Sequence, residues 1–203
     1  MFDSMTIGNV ERWVMLGAAI LAGILLGILI TFGWRWYRQR RERLRRRTRI
    51  EAVCVDYLRD VAIADGSGGL LHLDYLLLTA RGLLILDVRD VVGNIFGSDP
   101  MVEWTVMQGA RRYTFANPQG GLYDRIAAIT AIIEDVPVEA RVMFGPGANF
   151  PKGMPRLTLR EESLEAEFPL GDRAQAEQLV EVWRPAWERL RTALAPSEFS
   201  ARS

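Results

Sequence analysis

The strongest pattern in the chain is an uncharged run of 20 residues, "VMLGAAILAGILLGILITFG", from Val14 to Gly33. At about 1.5 Å rise per residue, such a run crosses a bilayer core of about 30 Å. It predicts a single transmembrane helix over 14–36. Trp13 stands at one end and Trp34, Trp36 and Tyr37 at the other, where membrane helices collect aromatic side chains. A cleaved signal peptide carries its positive charge ahead of a shorter apolar run. Here the charge follows: residues 35–49 hold nine arginines and one acid, Glu42. The positive-inside rule then predicts a single-pass protein of an inner or plasma membrane, N-terminus outside and the rest cytoplasmic. The arginine collar reads as a topology determinant and a contact for membrane lipid headgroups. Ala19, Gly23, Gly27 and Thr31 recur every four residues and line one helix face. Small residues on one face let two helices approach, which predicts a homodimer through that face.

Past the collar the periodicity changes. Residues 42 to about 59 continue as a helix, with Ile50, Val53, Cys54 and Tyr57 at helical spacing, until "DGSGG" breaks the chain at 65–69. Two apolar runs, 70–79 and 83–92, read as buried strands joined by a tight turn at Ala80–Gly82. "GNIFGSDP" reads as a loop, "VEWTVM" and "RRYTFA" as two short strands, and "NPQGG" as their stop. "LYDRIAAITAIIED" carries Leu122, Ile126, Ile129 and Ile133 on one helical face. "ARVMFG" is a further strand, "PGANFPKGMP" a loop, and "RLTLREESLEAEF" stays open between strand and turn. Residues 172–194 form an amphipathic helix capped by Asp172, with Leu179, Trp183, Trp187, Leu190 and Leu194 as core face and a kink at Pro185.

This order predicts an α/β fold: a central mixed sheet flanked by helices, preceded by a single transmembrane helix. The expected divisions are a short extracytoplasmic N-terminus (1–13), the membrane helix (14–36), a basic juxtamembrane helix (37–60), the cytoplasmic domain (61–195) and a flexible tail (196–203).

Composition sharpens this in three ways. The zero net charge of the 203-residue chain hides an asymmetry: from Ile50 onward there are 15 basic and 22 acidic residues. An acidic domain argues against tight non-specific nucleic-acid binding by its whole surface, while leaving room for a local basic groove. The one cysteine, Cys54, excludes an intrachain disulfide and reads as a small buried hydrophobe. The one histidine, His72, excludes a histidine-rich zinc site, and a structural or exposed role is expected for it. No phosphate loop or dinucleotide fingerprint occurs.

The chemistry concentrates in "LHLDYLLLTARGLLILDVRD", residues 71–90, where three charges interrupt the leucines. With Ala80 and Arg81 as a two-residue turn, Thr79 faces Gly82 and Asp74 faces Asp87. Their β-carbons then lie about 4.5–5.5 Å apart on one face, and Arg89, two residues on, shares it. Two carboxylates so placed repel without a cation. Mg²⁺ would relieve them, and so would a bidentate Arg89 pair. Spacing leaves both open: a divalent metal site or a structural ion pair at strand ends.

From about Leu70 to Pro155 the chain resembles the NERD (nuclease-related) domain, on "LHLDYLLLTARGLLILDVRD", "GNIFGSD", "EWT", "RRYTFANP", "LYDRIAAI" and "VMFGPGANFPKGMP". That family is grouped with the PD-(D/E)XK nucleases, so the resemblance implies a restriction-endonuclease-like core. It implies an aspartate opening the second strand, where Asp74 stands, and Glu-x-Lys on the third, where Asp87 and Arg89 stand. By this resemblance Asp74 and Asp87 bind Mg²⁺, Arg89 contacts phosphate or water, and nucleic acid is the partner. Glu51 is a candidate for the acid that the first helix often adds. The chain departs from the pattern in Asp for Glu, in Arg for Lys, and in Gly121 where the family commonly has glutamine, with Gln119 close by. Two functions follow: a membrane-anchored, Mg²⁺-dependent nuclease or DNA-processing protein, or a catalytically inactive, membrane-anchored interaction module.

Overall fold

The computed structural model describes residues 4–197, without the side chains of 4–22, 24, 35, 38 and 39. The chain forms two compact units, one up to Arg47 and one from Thr48. Helix α1 (Ser4–Val53) supplies all of the described residues of the first unit. There Leu25, Leu26, Ile28, Leu29, Ile30 and Phe32 are all more than half exposed. Arg40 and Arg41 sit over the rings of Trp36 and Tyr37, each 5.4 Å from the centroid. Among the described residues no helix is long and apolar enough to cross a membrane. Residues 14–22 of the expected span, Ala19 included, fall outside the described side chains.

The second unit holds two sheets. Strands β1 (Asp56–Ala64), β2 (Leu70–Thr79), β3 (Gly82–Arg89), β7 (Val138–Phe144), β9 (Thr158–Arg160) and β10 (Ala195–Pro196) make a six-stranded sheet in the order β10-β1-β2-β3-β7-β9. β4 (Gly93–Phe96), β5 (Glu103–Gln108), β6 (Arg111–Ala116) and β8 (Ala148–Asn149) make a four-stranded sheet, β6-β5-β4-β8. The pairs β3–β7, β7–β9 and β4–β8 are parallel and the others antiparallel, so both sheets are mixed. Helix α2 (Gln119–Thr130) packs on one face of the larger sheet, with Leu122 and Ile129 fully buried. The end of α1 packs Ile50, Val53 and Cys54 into a second apolar cluster with Leu77, Leu84 and Leu86. Buried on both faces, β2 and β3 can be near-continuous leucine.

The turn between β2 and β3 has the expected two residues, with Thr79 opposite Gly82. Gly82 has φ +120°, and a β-carbon there would collide with the Pro137 carbonyl. Only glycine meets both demands.

Four expectations change. The helix ends at Val53, not near Arg59: the Val55 amide donates to the Leu78 carbonyl, and residues 56–59 join the β2 edge. The partner strand overrides the helical spacing of Tyr57. "GNIF" is not loop but β4, whose four residues are too few to display a period. The helix at 172–194 is two helices, α4 (Arg173–Val180) and α5 (Arg184–Ala193), parted by a 3₁₀ turn at Glu181–Trp183. Asp172 caps α4 as expected, accepting the Gln175 amide at 2.9 Å. Pro185 lies in the first turn of α5, where its missing N–H costs nothing, so it starts a helix rather than kinking one. The break rotates the buried face: Val180 is buried and Leu179 exposed. Finally, Pro196 is ordered on the sheet edge, opposite Val61, where a strand tolerates proline. The tail beyond Ser197 lies outside the described residues. The open segment "RLTLREESLEAEF" resolves into β9, a 3₁₀ turn and the short helix α3 (Leu164–Glu167).

Candidate active site

Strands β2 and β3 pair from Thr79–Gly82 as far as Tyr75–Leu86 and then stop. Beyond that point β2 continues only along β1, to Leu70, and β3 continues only along β7, to Arg89. Asp74 and Asp87 are the first residues past the last rung, so both carboxylates stand where two strands part.

The pleat also changes there. Leu58 and Val61 pack on the same apolar cluster although three residues apart, as do Leu73 and Leu76. Residues on one face of a regular strand are an even number apart. Each strand therefore slips by one residue, at Asp60 in β1 and at Asp74 in β2, which oppose each other between the pairs Arg59–Tyr75 and Val61–Leu73. Asp60 has φ +52°, the single non-glycine residue with positive φ among those described.

This slip gathers polar groups inside an apolar sheet. Asp74 Oδ2 accepts the Val88 amide at 2.6 Å, and Oδ1 lies 2.9 Å from His72 Nε2. His72 Nδ1 lies 2.8 Å from the Ser197 hydroxyl. Ligand atoms of Asp60, His72 and Asp74 all lie within 4.8 Å of one another. Asp87 is 4% exposed. Its Oδ2 pairs with Arg89 Nη2 at 2.8 Å and lies 3.8 Å from Arg125 Nη1. Burial pushes the Asp87 carboxyl above the usual carboxylate range. The Arg89 and Arg125 guanidinia oppose that shift, and the neighbouring Asp74 carboxyl adds to it by charge and by a hydrogen bond.

The structure thus brings together Asp74, Asp87 and Arg89. Glu51 is not in the three-ligand group; the Tyr57 hydroxyl donates to its carboxylate at 3.4 Å on the exposed helix surface. Gln119 does not replace the missing glutamine at the site. Its amide donates to Asp99 Oδ1 at 3.0 Å, tying the start of α2 to the 97–101 loop.

Arg125, His72, Asp60 and Ser197 join the site beyond the three residues that the sequence pattern marks. Arg125 Nε donates to the His72 carbonyl at 2.6 Å and Nη1 to the Gly121 carbonyl at 2.8 Å. Its signal was available: it falls three after Leu122 and four before Ile129, a charge inside an apolar stripe. A β-carbon at Gly121 would lie 2.9 Å from its guanidinium, so the glycine at that position leaves room for the arginine. Asp60 and Ser197 carry no local signal, because a strand slip and a sheet edge bring them in.

Chemically, the Asp60 and Asp74 carboxylates and the His72 imidazole form a donor set that fits a divalent cation, with the Asp87 carboxyl neighbouring Asp74. Arg89 and Arg125 beside it fit an anion such as a phosphate. The family model for the nuclease-related domain matches residues 37–145, more than half of the chain and all of β1 to β7. No curated protein and no solved structure matches it.

Proposed function

Because the chain belongs to the nuclease-related domain family, we propose that it cleaves nucleic-acid phosphodiester bonds with a divalent cation, Mg²⁺ in the simplest case. The observation that carries this is the meeting of Asp74 and Asp87 where β2 leaves β3, with two guanidinia alongside. Asp74 and Asp87 would hold the cation. When bound, it supplies an activated water and charge stabilisation at the phosphate. The Val88 amide fixes Asp74, so that carboxylate is preorganised. Arg89 keeps a positive charge beside the scissile phosphate but cannot take up a proton as a lysine can. Its role is therefore electrostatic. Arg125, one helix away, holds the His72 end of β2 and adds a second positive charge near Asp87.

The test is cleavage of labelled DNA and RNA by the full-length protein with Mg²⁺ or Mn²⁺, beside Asp87→Ala. Metal-dependent cleavage by the wild type and its loss in the variant is the expected result. Equal cleavage by both, or none by either, overturns it.

The second reading, an inactive interaction module, draws on the Asp87–Arg89 pair at 2.8 Å, which already neutralises one carboxylate. In that reading Asp74, Asp87 and Arg89 hold strand ends together.

For the N-terminal unit we propose a single membrane helix over 14–36, N-terminus outside, with the domain in the cytoplasm. The exposed apolar side chains from Leu25 to Phe32 support it. Membrane lipid would then meet the arginine collar. Ala19, Gly23, Gly27 and Thr31 would pair two copies, and β-carbons at Gly23 and Gly27 would meet nothing within 4 Å.

A further inference from the structure

The C-terminal strand reaches the site. β10 is only two residues long, yet it continues into Ser197, which is 7% exposed. Ser197 grips two members of the ligand group at once. Its amide donates to the Asp60 carbonyl at 2.9 Å, and its hydroxyl lies 2.8 Å from His72 Nδ1. The opposite ring nitrogen, Nε2, faces Asp74 Oδ1 at 2.9 Å, within the group of Asp60, His72 and Asp74.

A histidine that ligates a metal needs its other nitrogen held, so that the ring is aimed and the right tautomer kept. A hydroxyl suits this place, because it donates or accepts as required. With the cation absent, the serine O–H can donate to Nδ1 while Nε2–H donates to Asp74. With Nε2 ligating, Nδ1–H donates to the serine oxygen. One residue thus serves both states without moving the ring.

We propose that Ser197 is a positioning residue: it aims His72 Nε2 into the Asp60–Asp74 carboxylates, so that the cation site has an imidazole ligand completed by the C-terminal strand. The proposal rests on the cation reading above and extends it from two carboxylates to a mixed oxygen and nitrogen set. It assigns residues 195–197 to the site although they lie far outside the segment matched by the family.

The test uses full-length protein in non-ionic detergent, purified without a histidine tag and titrated with Mn²⁺. Electron paramagnetic resonance counts bound Mn²⁺, and electron spin echo modulation detects nitrogen on it. His72 is the only histidine in the chain, so an imidazole nitrogen signal belongs to it alone. The wild type is expected to bind Mn²⁺ with that signal. Ser197→Ala should lose the signal and weaken Mn²⁺ binding by about 10–100-fold, the usual effect of removing such an outer partner. Ser197→Thr, which keeps the hydroxyl, should restore both. Should Ser197→Ala not fold, Ser197→Cys, nearly the same size with a weak donor, makes the same comparison.

Bound Mn²⁺ without nitrogen modulation in the wild type overturns the proposal and leaves the carboxylate cation site standing. Nitrogen modulation and affinity unchanged in Ser197→Ala overturn the positioning role. A wild type that binds no Mn²⁺ overturns both this proposal and the cation reading.

Discussion

Asp74 takes the place of a backbone carbonyl: its Oδ2 accepts the Val88 amide at 2.6 Å, where the β2–β3 register would next bond Val88 to Leu73. The carboxylate is therefore structural as well as a candidate ligand. Asp74→Ala strips the acceptor from an N–H inside the sheet, which costs about 1–3 kcal/mol. Asp74→Asn keeps an oxygen for Val88 and should cost less. Urea unfolding of the two variants checks the order. An asparagine variant as unstable as the alanine variant would mean that the charge, not the bond to Val88, is what matters.

Asp87 gives a pH dependence of known sign. Its carboxyl is raised in the folded state, chiefly by burial, so the native protein holds that proton more tightly than the unfolded chain. Its contribution to stability is present in full below the ordinary aspartate range, near pH 4, and is lost as pH rises through the folded value. Asp87→Asn mimics the protonated form. It should flatten that part of the stability profile and leave the protein at least as stable as the wild type at neutral pH. Urea midpoints measured from pH 4 to neutrality decide the matter. A variant clearly less stable near neutrality would place the Arg89 and Arg125 attractions above the desolvation of Asp87, as the inactive ion-pair reading requires.

The sequence disclosed the hairpin and its register because leucine runs and a glycine-closed turn are local signals. Thr79 opposite Gly82 and Tyr75 opposite Leu86 follow from the turn length alone. What it concealed is that the ladder ends one rung short of Asp74 and Asp87. That end depends on the slip at Asp60 and Asp74, past which β2 stays with β1 alone while β3 runs on along β7, and β7 lies about fifty residues along the chain. Alternation along β2 cannot reveal the slip, since leucines occupy both faces. Ser197 was hidden for a similar reason: a two-residue edge strand has no period. Arg125 was the exception, since its place in the apolar stripe of α2 could be read directly.

Cys54 offers a probe of the join between α1 and the sheet. Burial, with the Asp56 charge second, pushes its thiol up to about 12, and Sγ donates to the Ile50 carbonyl at 3.0 Å. At mildly alkaline pH almost no thiolate forms, and the thiolate is the reactive species. Native protein should resist a disulfide-exchange reagent, while denatured protein should consume one equivalent. Rapid labelling of the native protein would show that the last turn of α1 opens readily, against the packing of Ile50 and Val53.

Gly121 and Arg125 should be coupled strongly enough to reverse the sign of one substitution. Glycine inside a helix costs about 0.5–1 kcal/mol relative to alanine, and Gly121 lies within α2 at no positive φ. On propensity alone, Gly121→Ala stabilises. Yet its β-carbon would lie 2.9 Å from Arg125 Nη1, which donates to the Gly121 carbonyl, while Nε donates to the His72 carbonyl. Displacing the guanidinium strains two hydrogen bonds, each worth about 0.5–1.5 kcal/mol. In the wild-type background Gly121→Ala should therefore be neutral or destabilising. In an Arg125→Ala background the obstacle is gone, and the same change should stabilise by about 0.5–1 kcal/mol. The four proteins form a double-mutant cycle read by urea unfolding. An equal gain in both backgrounds would mean the guanidinium steps aside freely, and Arg125 would lose its standing as the tether between α2 and the edge of β2.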